Sequence, residues 1–289
     1  MLREVQRLRK ASPYHVKREI SQKNHRKKRY KVKTTKYYVE LEGFDREMTF
    51  ALVSDLHSND PRRVIEILKE ETPDCILMAG DIFEALDGSC DEKNNIAYPI
   101  LGEAAKIAPT FYSVGNHEDG ECGAWWKIWA AHKGRERYIS PENARRIADS
   151  GAVYLEDEYK IFNGIAVGGL ASGLIYKDKA PRLDWLDGFC DLKIPKVLIC
   201  HHPEYYKKYL VDRDIDLIVA GHAHGGQWRI FGRGVFAPGQ GLFPKYTAGV
   251  HNGKFVVSRG LKKSGLVPRI FNPREVVMIK TKMSEKEQK

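Results

Sequence analysis

Apolar and polar positions along this chain follow two periods, and the periods predict its elements. Five short runs are apolar almost throughout: residues 49–54, 74–79, 110–114, 196–200 and 216–220. Their length, and the Gly, Asp or His that closes each, are those of strands buried on both faces. Between residues 61 and 71 the spacing becomes helical, with Val64, Ile65, Ile67 and Leu68 on one side and Asp60-Pro61 as the start signal. A second helix is predicted from about 94 to 107. A third opens at Ser140-Pro141, serine as N-cap and proline in the first turn, and ends near Ser150-Gly151. Residues 36–41 alternate as a strand, 153–155 start another, and 161–170 read as a hairpin through Asn163-Gly164. Residues 171–194 are irregular and charged, and are expected to cap a rim as a loop or short helix. Short strands follow from 232 to 280, clearest at 255–257 and 276–279. Trp125 and Trp129, four apart, predict a helix over 124–132, either packing on the body or stacking on a ligand.

The five buried runs deliver chemistry at their C-terminal ends, where open α/β sheets bind ligands. They lead into Asp55-Leu56-His57, Gly80-Asp81, Gly115-Asn116-His117-Glu118, His201-His202-Pro203 and Gly221-His222-Ala223-His224-Gly225-Gly226-Gln227. If the strands lie side by side, these ends meet on one rim. A mixed set of carboxylate, amide and imidazole suits Mn, Fe or Zn rather than Ca or an iron–sulfur cluster.

The ordered set Asp55-x-His57, Gly80-Asp81, Gly115-Asn116-His117-Glu118, His201-x-Pro203 and Gly221-His222-x-His224 resembles the calcineurin-like metallophosphoesterases, over roughly residues 40 to 280. Gly225-Gly226-Gln227, Ser258-Arg259-Gly260-Leu261 and the stretch from Pro268 to Glu275 further resemble the bacterial branch typified by YkuE and YaeI. The resemblance implies a four-layer αββα sandwich of two mixed sheets flanked by helices. It implies two divalent ions, Mn, Fe or Zn. Asp55, His57 and His224 complete the first, Asn116, His201 and His222 the second, and Asp81 bridges them. It makes His117 the group that contacts the phosphoryl oxygen and protonates the leaving alkoxide. Two alternatives stay open: His117 bonding Glu118 or Asp119, and His57 orienting the site without binding metal. The His-x-Pro spacing selects His201 over His202. Glu118, Asp119 and Gln227 are candidates for holding ligands in orientation. The implied reaction is hydrolysis of a phosphomonoester, phosphodiester or pyrophosphate by metal-activated hydroxide, with a phospholipid or nucleotide-lipid as one substrate class. A nuclease of the same superfamily and a non-catalytic scaffold on membrane or nucleic acid are the alternatives.

Charge divides the chain into regions. Residues 1–36 carry 14 Lys/Arg against two Glu, while the rest carries 34 Lys/Arg and 36 Asp/Glu. The expected organisation is therefore a basic, flexible arm (1–36), one domain (37–282) and a charged tail (283–289). The arm invites peripheral contact with an anionic membrane, and less readily with nucleic acid. A near-neutral body argues against a nuclease groove. The basic stretch is followed by no apolar segment of a signal peptide, and no run approaches a membrane span, so a cytoplasmic location, peripheral to the inner face of the membrane, is expected. That departs from the export signals or anchors of the branch it resembles. Five cysteines without CxxC pairing favour a reducing compartment. The absence of GxxxxGK(S/T), GxGxxG and GxSxG stretches disfavours nucleotide-driven, dinucleotide-redox and serine-hydrolase chemistry.

Overall fold

The predicted strands alternate their side chains between two apolar layers, and that alternation builds the molecule. The computed structural model describes residues 18–20, 32–41, 44, 46–86, 90–118, 139–175, 179–263 and 268–283. The aromatic 124–132 segment, Asp119 and most of the basic arm lie outside them. In chain order the elements are β1 (Arg18–Ile20), β2 (Lys33–Leu41), β3 (Thr49–Val53), α1 (Arg62–Glu71), β4 (Cys75–Ala79), α2 (Asp91–Ala97), α3 (Pro99–Ile107), β5 (Thr110–Ser113), α4 (Pro141–Asp149), β6 (Val153–Tyr154), β7 (Glu158–Phe162), β8 (Ile165–Leu170), α5 (Leu186–Cys190), β9 (Lys196–Cys200) and β10 (Leu217–Ala220). Then come four two-residue strands, β11 (Arg229–Ile230), β12 (Arg233–Gly234), β13 (Phe236–Ala237) and β14 (Gly241–Leu242), and finally β15 (Gly249–His251), β16 (Phe255–Val257) and β17 (Glu275–Met283).

Two mixed sheets result, ordered β1-β2-β17-β3-β4-β5-β6 and β15-β16-β10-β9-β8-β7. Phe50, Leu52, Leu77 and Val277 of the first meet Val167, Val197, Ile199 and Val219 of the second in a closed apolar layer. The alternate residues, Ala51, Val53, Ile76 and Met78, pack outward with Val64, Ile67, Leu101 and Ile147 of α1, α3 and α4. Leu198, Cys200 and Ile218 do the same on the far side, with Leu186 and Phe189 of α5. This is the expected αββα arrangement, and each buried Val, Leu or Ile contributes about 1.5–3 kcal/mol to it.

Three local outcomes differ from the sequence expectation. The five site-bearing strands do not form one row: β3, β4 and β5 are parallel neighbours in the first sheet, and β9 and β10 in the second. The helix expected over 94–107 is two helices, because Pro99 has no N–H to continue the turn and starts α3. And β2 begins at Lys33, with Arg18–Ile20 antiparallel to it, so the expected boundary at residue 36 falls inside a strand. The hairpin at Asn163-Gly164 forms as expected, both residues having positive φ. Cys75 and Cys200 are free and buried in strands, whereas Cys90 is held in a disulfide, which the reducing-compartment expectation did not include.

Candidate metal centre

Parallel strands put the loops after them at one edge, and backbone hydrogen bonds lock those loops together. Asp55 N donates to Gly80 O (3.0 Å), His57 N to Asp81 O (2.9 Å) and Gly221 N to His201 O (3.1 Å). The backbone also turns sharply at the functional residues. Asp55, His57, Asp81, His222 and His224, five of the seven expected ligands, have φ between 45° and 62°. Each costs on the order of 1 kcal/mol, and such strain concentrates where structure must aim a side chain. Gly221 and Gly260 make the room: a Cβ on either would lie 2.7 or 2.5 Å from Asp55 Oδ2.

These loops bring together two buried triads, Asp55–His57–His224 and Asp81–His201–His222, whose nitrogen and oxygen atoms lie within 4.8 Å of one another in each. Asp81 joins them. Its Oδ2 is 3.2 Å from His201 Nε2 and 3.6 Å from His57 Nε2, while Oδ1 accepts from His117 N at 2.8 Å. Asp55 Oδ1 accepts from His222 N (3.0 Å) and lies 3.7 Å from His224 Nδ1. Asp55 Oδ2, His57 Nε2, Asp81 Oδ2, Asn116 Oδ1 and His224 Nδ1 are buried without a hydrogen-bond partner. An unsatisfied buried polar atom costs about 1–3 kcal/mol, and five together on a mixed nitrogen and oxygen donor set fit divalent metal ions.

The electrostatics of three of the four imidazoles agree with that fit. Burial, with His117 beside it, lowers the His57 imidazole to about 4. Burial and neighbouring imidazoles likewise hold His222 and His224 well below the usual range. All three are therefore neutral at pH 7, the form that binds metal. For His201 burial acts in the same direction, but the Asp81 carboxylate outweighs it and raises the ring to about 10. Burial would raise Asp81, yet His201, His117 and His57 together hold it well below its ordinary value. Burial also pushes Asp55 up to about 6.

His201, not His202, lies against Asp81, with its Nδ1 2.8 Å from Ala79 O. His202 Nε2 instead meets Ser172 Oγ at 2.7 Å. Glu118 does not pair with His117. It accepts from the backbone N–H groups of Asp81, Ile82, Phe83 and Gly115 and from Tyr112 OH, at 2.6–3.2 Å. Asn272 Nδ2 ties the last loop by donating to His224 O (2.6 Å) and Gln227 O (3.0 Å). Two carboxylates were missed by sequence reasoning. Glu84 meets His57 Nδ1 at 2.7 Å and His117 Nδ1 at 3.0 Å, and Glu204 lies 3.3 Å from His202 Nδ1 and 4.0 Å from His222 Nε2. Their signal was adjacency: Glu84 is three residues past Asp81, and Glu204 follows His201-His202-Pro203.

Residues 48–226, which hold both triads, match the family model of the calcineurin-like phosphoesterases. The chain belongs to that family. It is similar to an uncharacterized metallophosphoesterase of Helicobacter pylori strain J99, 25% identical over 87% of this chain and 64% of the relative. It is also similar to phosphodiesterase YaeI of Escherichia coli K12, 26% identical over 65% of this chain and 59% of that protein. A zebrafish transmembrane protein with a metallophosphoesterase domain is 25% identical over 62% of this chain and 41% of its own length. The chain thus spans between two fifths and two thirds of the length of these relatives. With YaeI among them, this calcineurin-like phosphoesterase falls in the bacterial branch.

Proposed function

We propose that this protein hydrolyses a phosphoric ester at a dinuclear metal site. Asp55, His57 and His224 hold one ion, Asn116, His201 and His222 the other, and Asp81 serves both. The observation that carries this reading is the meeting of two buried triads at one carboxylate oxygen, Asp81 Oδ2, which has an imidazole of each triad within 3.6 Å. Divalent ions in such a pair supply Lewis acidity toward a phosphoryl oxygen and bring the ionisation of water near neutral pH.

The chain's own residues do the rest. Glu84 accepts from Nδ1 of both His57 and His117, which fixes two rings and their tautomers with one carboxylate. With Nδ1 engaged, His117 has Nε2 to donate a proton to the leaving alkoxide. Burial would lower the His117 ring, but Asp81 and Glu84 outweigh it and raise its pKa, which favours the protonated form a general acid needs. The test is turnover of p-nitrophenyl phosphate and bis-p-nitrophenyl phosphate by chelator-stripped protein, with Mn, Zn, Fe or Mg returned singly. Metal-restored turnover is expected, and the preferred ester assigns the substrate class. Bound metal with no turnover of either ester would reject a general mono- or diesterase and leave a highly selective pocket or a scaffold.

A further inference from the structure

The stretch after His224 builds a ribbon beside the site. Val235 N donates to Trp228 O (2.9 Å) and Gly226 O (3.1 Å), and Phe243 N donates to Val235 O (2.8 Å). Trp228 bridges Ile270, whose N donates to Gln227 O (3.3 Å). Segments 241–243, 235–237, 228–230 and 270–271 therefore lie side by side, tied to the candidate metal centre through Gly225-Gly226 and the Asn272–His224 hydrogen bond.

This ribbon turns its apolar side chains to solvent. Phe231, Phe243 and Phe271 are 101%, 77% and 86% exposed. The ladder partners Phe236 and Leu242 are both exposed, as are the bridged Trp228 and Ile270. A Cβ placed on Gly232 or Gly241 would meet nothing within 4 Å, so these turns stand clear of the body. Burying one phenylalanine is worth about 1.5–3 kcal/mol, and several left in water on one ribbon mark an interaction surface.

Charge selects the partner. From residue 217 to 274 the chain has nine Lys/Arg and no Asp or Glu, although the body as a whole is near neutral. Arg233, the ladder partner of Ile230, is exposed, and so are Lys245 and Lys263. Aromatic tips on separate turns, with Arg233 two residues from Phe231 and Lys245 two from Phe243, match a bilayer interface, where rings sit at headgroup depth and cations meet anionic lipid. A nucleic-acid duplex would use the basic side chains but leave phenylalanine tips on separate turns without a partner. No helix among the described residues is long and apolar enough to cross a membrane.

We propose that the ribbon formed by residues 228–243 and 270–271 docks this protein on an anionic phospholipid surface, with Phe231, Phe243 and Phe271 inserted among the headgroups and Arg233 and Lys245 against lipid phosphates. The docking does not depend on the chemistry of the site. Under the phosphoesterase reading, it also holds the metal centre at headgroup level.

Flotation of the full chain with vesicles of phosphatidylcholine, with and without phosphatidylglycerol, tests this. Binding to the anionic vesicles is expected. The F231S/F243S/F271S variant should bind about 100-fold more weakly, roughly fivefold per partly inserted ring. R233Q/K245Q should lose roughly fivefold per charge, on anionic vesicles only. F231L/F243L/F271L should retain binding, and turnover of p-nitrophenyl esters should stay at the wild-type level in all three. Unchanged vesicle binding by the serine variant overturns the proposal and moves the contact to the 1–36 arm, which that variant keeps. Absence of vesicle binding by the wild type also overturns it, as does self-association that the serine variant abolishes, which would make the face a protein interface. Failed ester turnover with intact docking would count against the phosphoesterase reading alone.

Discussion

Glu118 shows how much one buried carboxylate can organise. Its five donors come from two loops and a core tyrosine, and without it the Gly80–Phe83 turn that aims Asp81 has three unpaired N–H groups. Glu118→Gln replaces one accepting oxygen with a donating NH2 inside that ring of donors. Destabilisation by about 3 kcal/mol is expected in urea unfolding, two or more lost acceptor contacts at about 1–3 kcal/mol each. A loss below about 1 kcal/mol would mean the loop holds itself. His117 separates differently, since its backbone touches Asp81 but its ring is not among the proposed ligands. His117→Ala should keep metal stoichiometry and lose about 10²–10⁴-fold in turnover. Full turnover in that variant would remove its role as acid. At this scale the residues carried by motifs were legible, because glycine, strand end and histidine recur at short fixed spacing. Glu84 and Glu204 were not, because closeness in the chain to Asp81 or His202 does not say which imidazole a carboxylate meets until the fold sets one beside it.

Among elements, the strand ends do the positioning, and two glycines separate conformational strain from steric exclusion. Gly164 sits at φ +78° in the hairpin turn with nothing within 4 Å of its would-be Cβ. Gly164→Ala should cost about 1 kcal/mol of stability and leave metal binding untouched. Gly221 follows β10, and its would-be Cβ falls 2.7 Å from both Asp55 Oδ2 and Ser54 Cβ. Gly221→Ala should displace Asp55 and weaken metal binding at least tenfold by calorimetric titration, for a comparable loss of stability. Equal metal affinity in the two variants would show that Asp55 tolerates the shift. The five strands themselves were legible because each is apolar on both faces. Their division between two sheets was not, since a doubly buried run carries no sign of which neighbour it pairs with. β1 was hidden for the opposite reason: Arg18-Glu19-Ile20 reads as part of a solvated basic arm, and only its pairing with Thr35–Tyr37 makes it a strand.

For the whole molecule, the three apolar layers contain none of the seven expected metal ligands. The fold should therefore survive metal removal, unlike a small domain whose core is the metal. Removal should still cost stability, because it returns five buried polar atoms, two of them carboxylate oxygens, to an unsatisfied state. A ligand at 100-fold its Kd that binds only the folded protein adds about 2.7 kcal/mol. In a chain of this size that is a rise of roughly 4–5 °C in Tm per ion. Scanning calorimetry with chelator and with returned Mn or Zn should show that difference. Asp81→Asn should abolish most of it, since the proposed bridge serves both ions, while Glu118→Gln should lower both curves and keep the gap. A chelator-stripped protein with an unchanged Tm would mean that the orphaned atoms find water enough, and the case for a metal centre would then rest on the family alone.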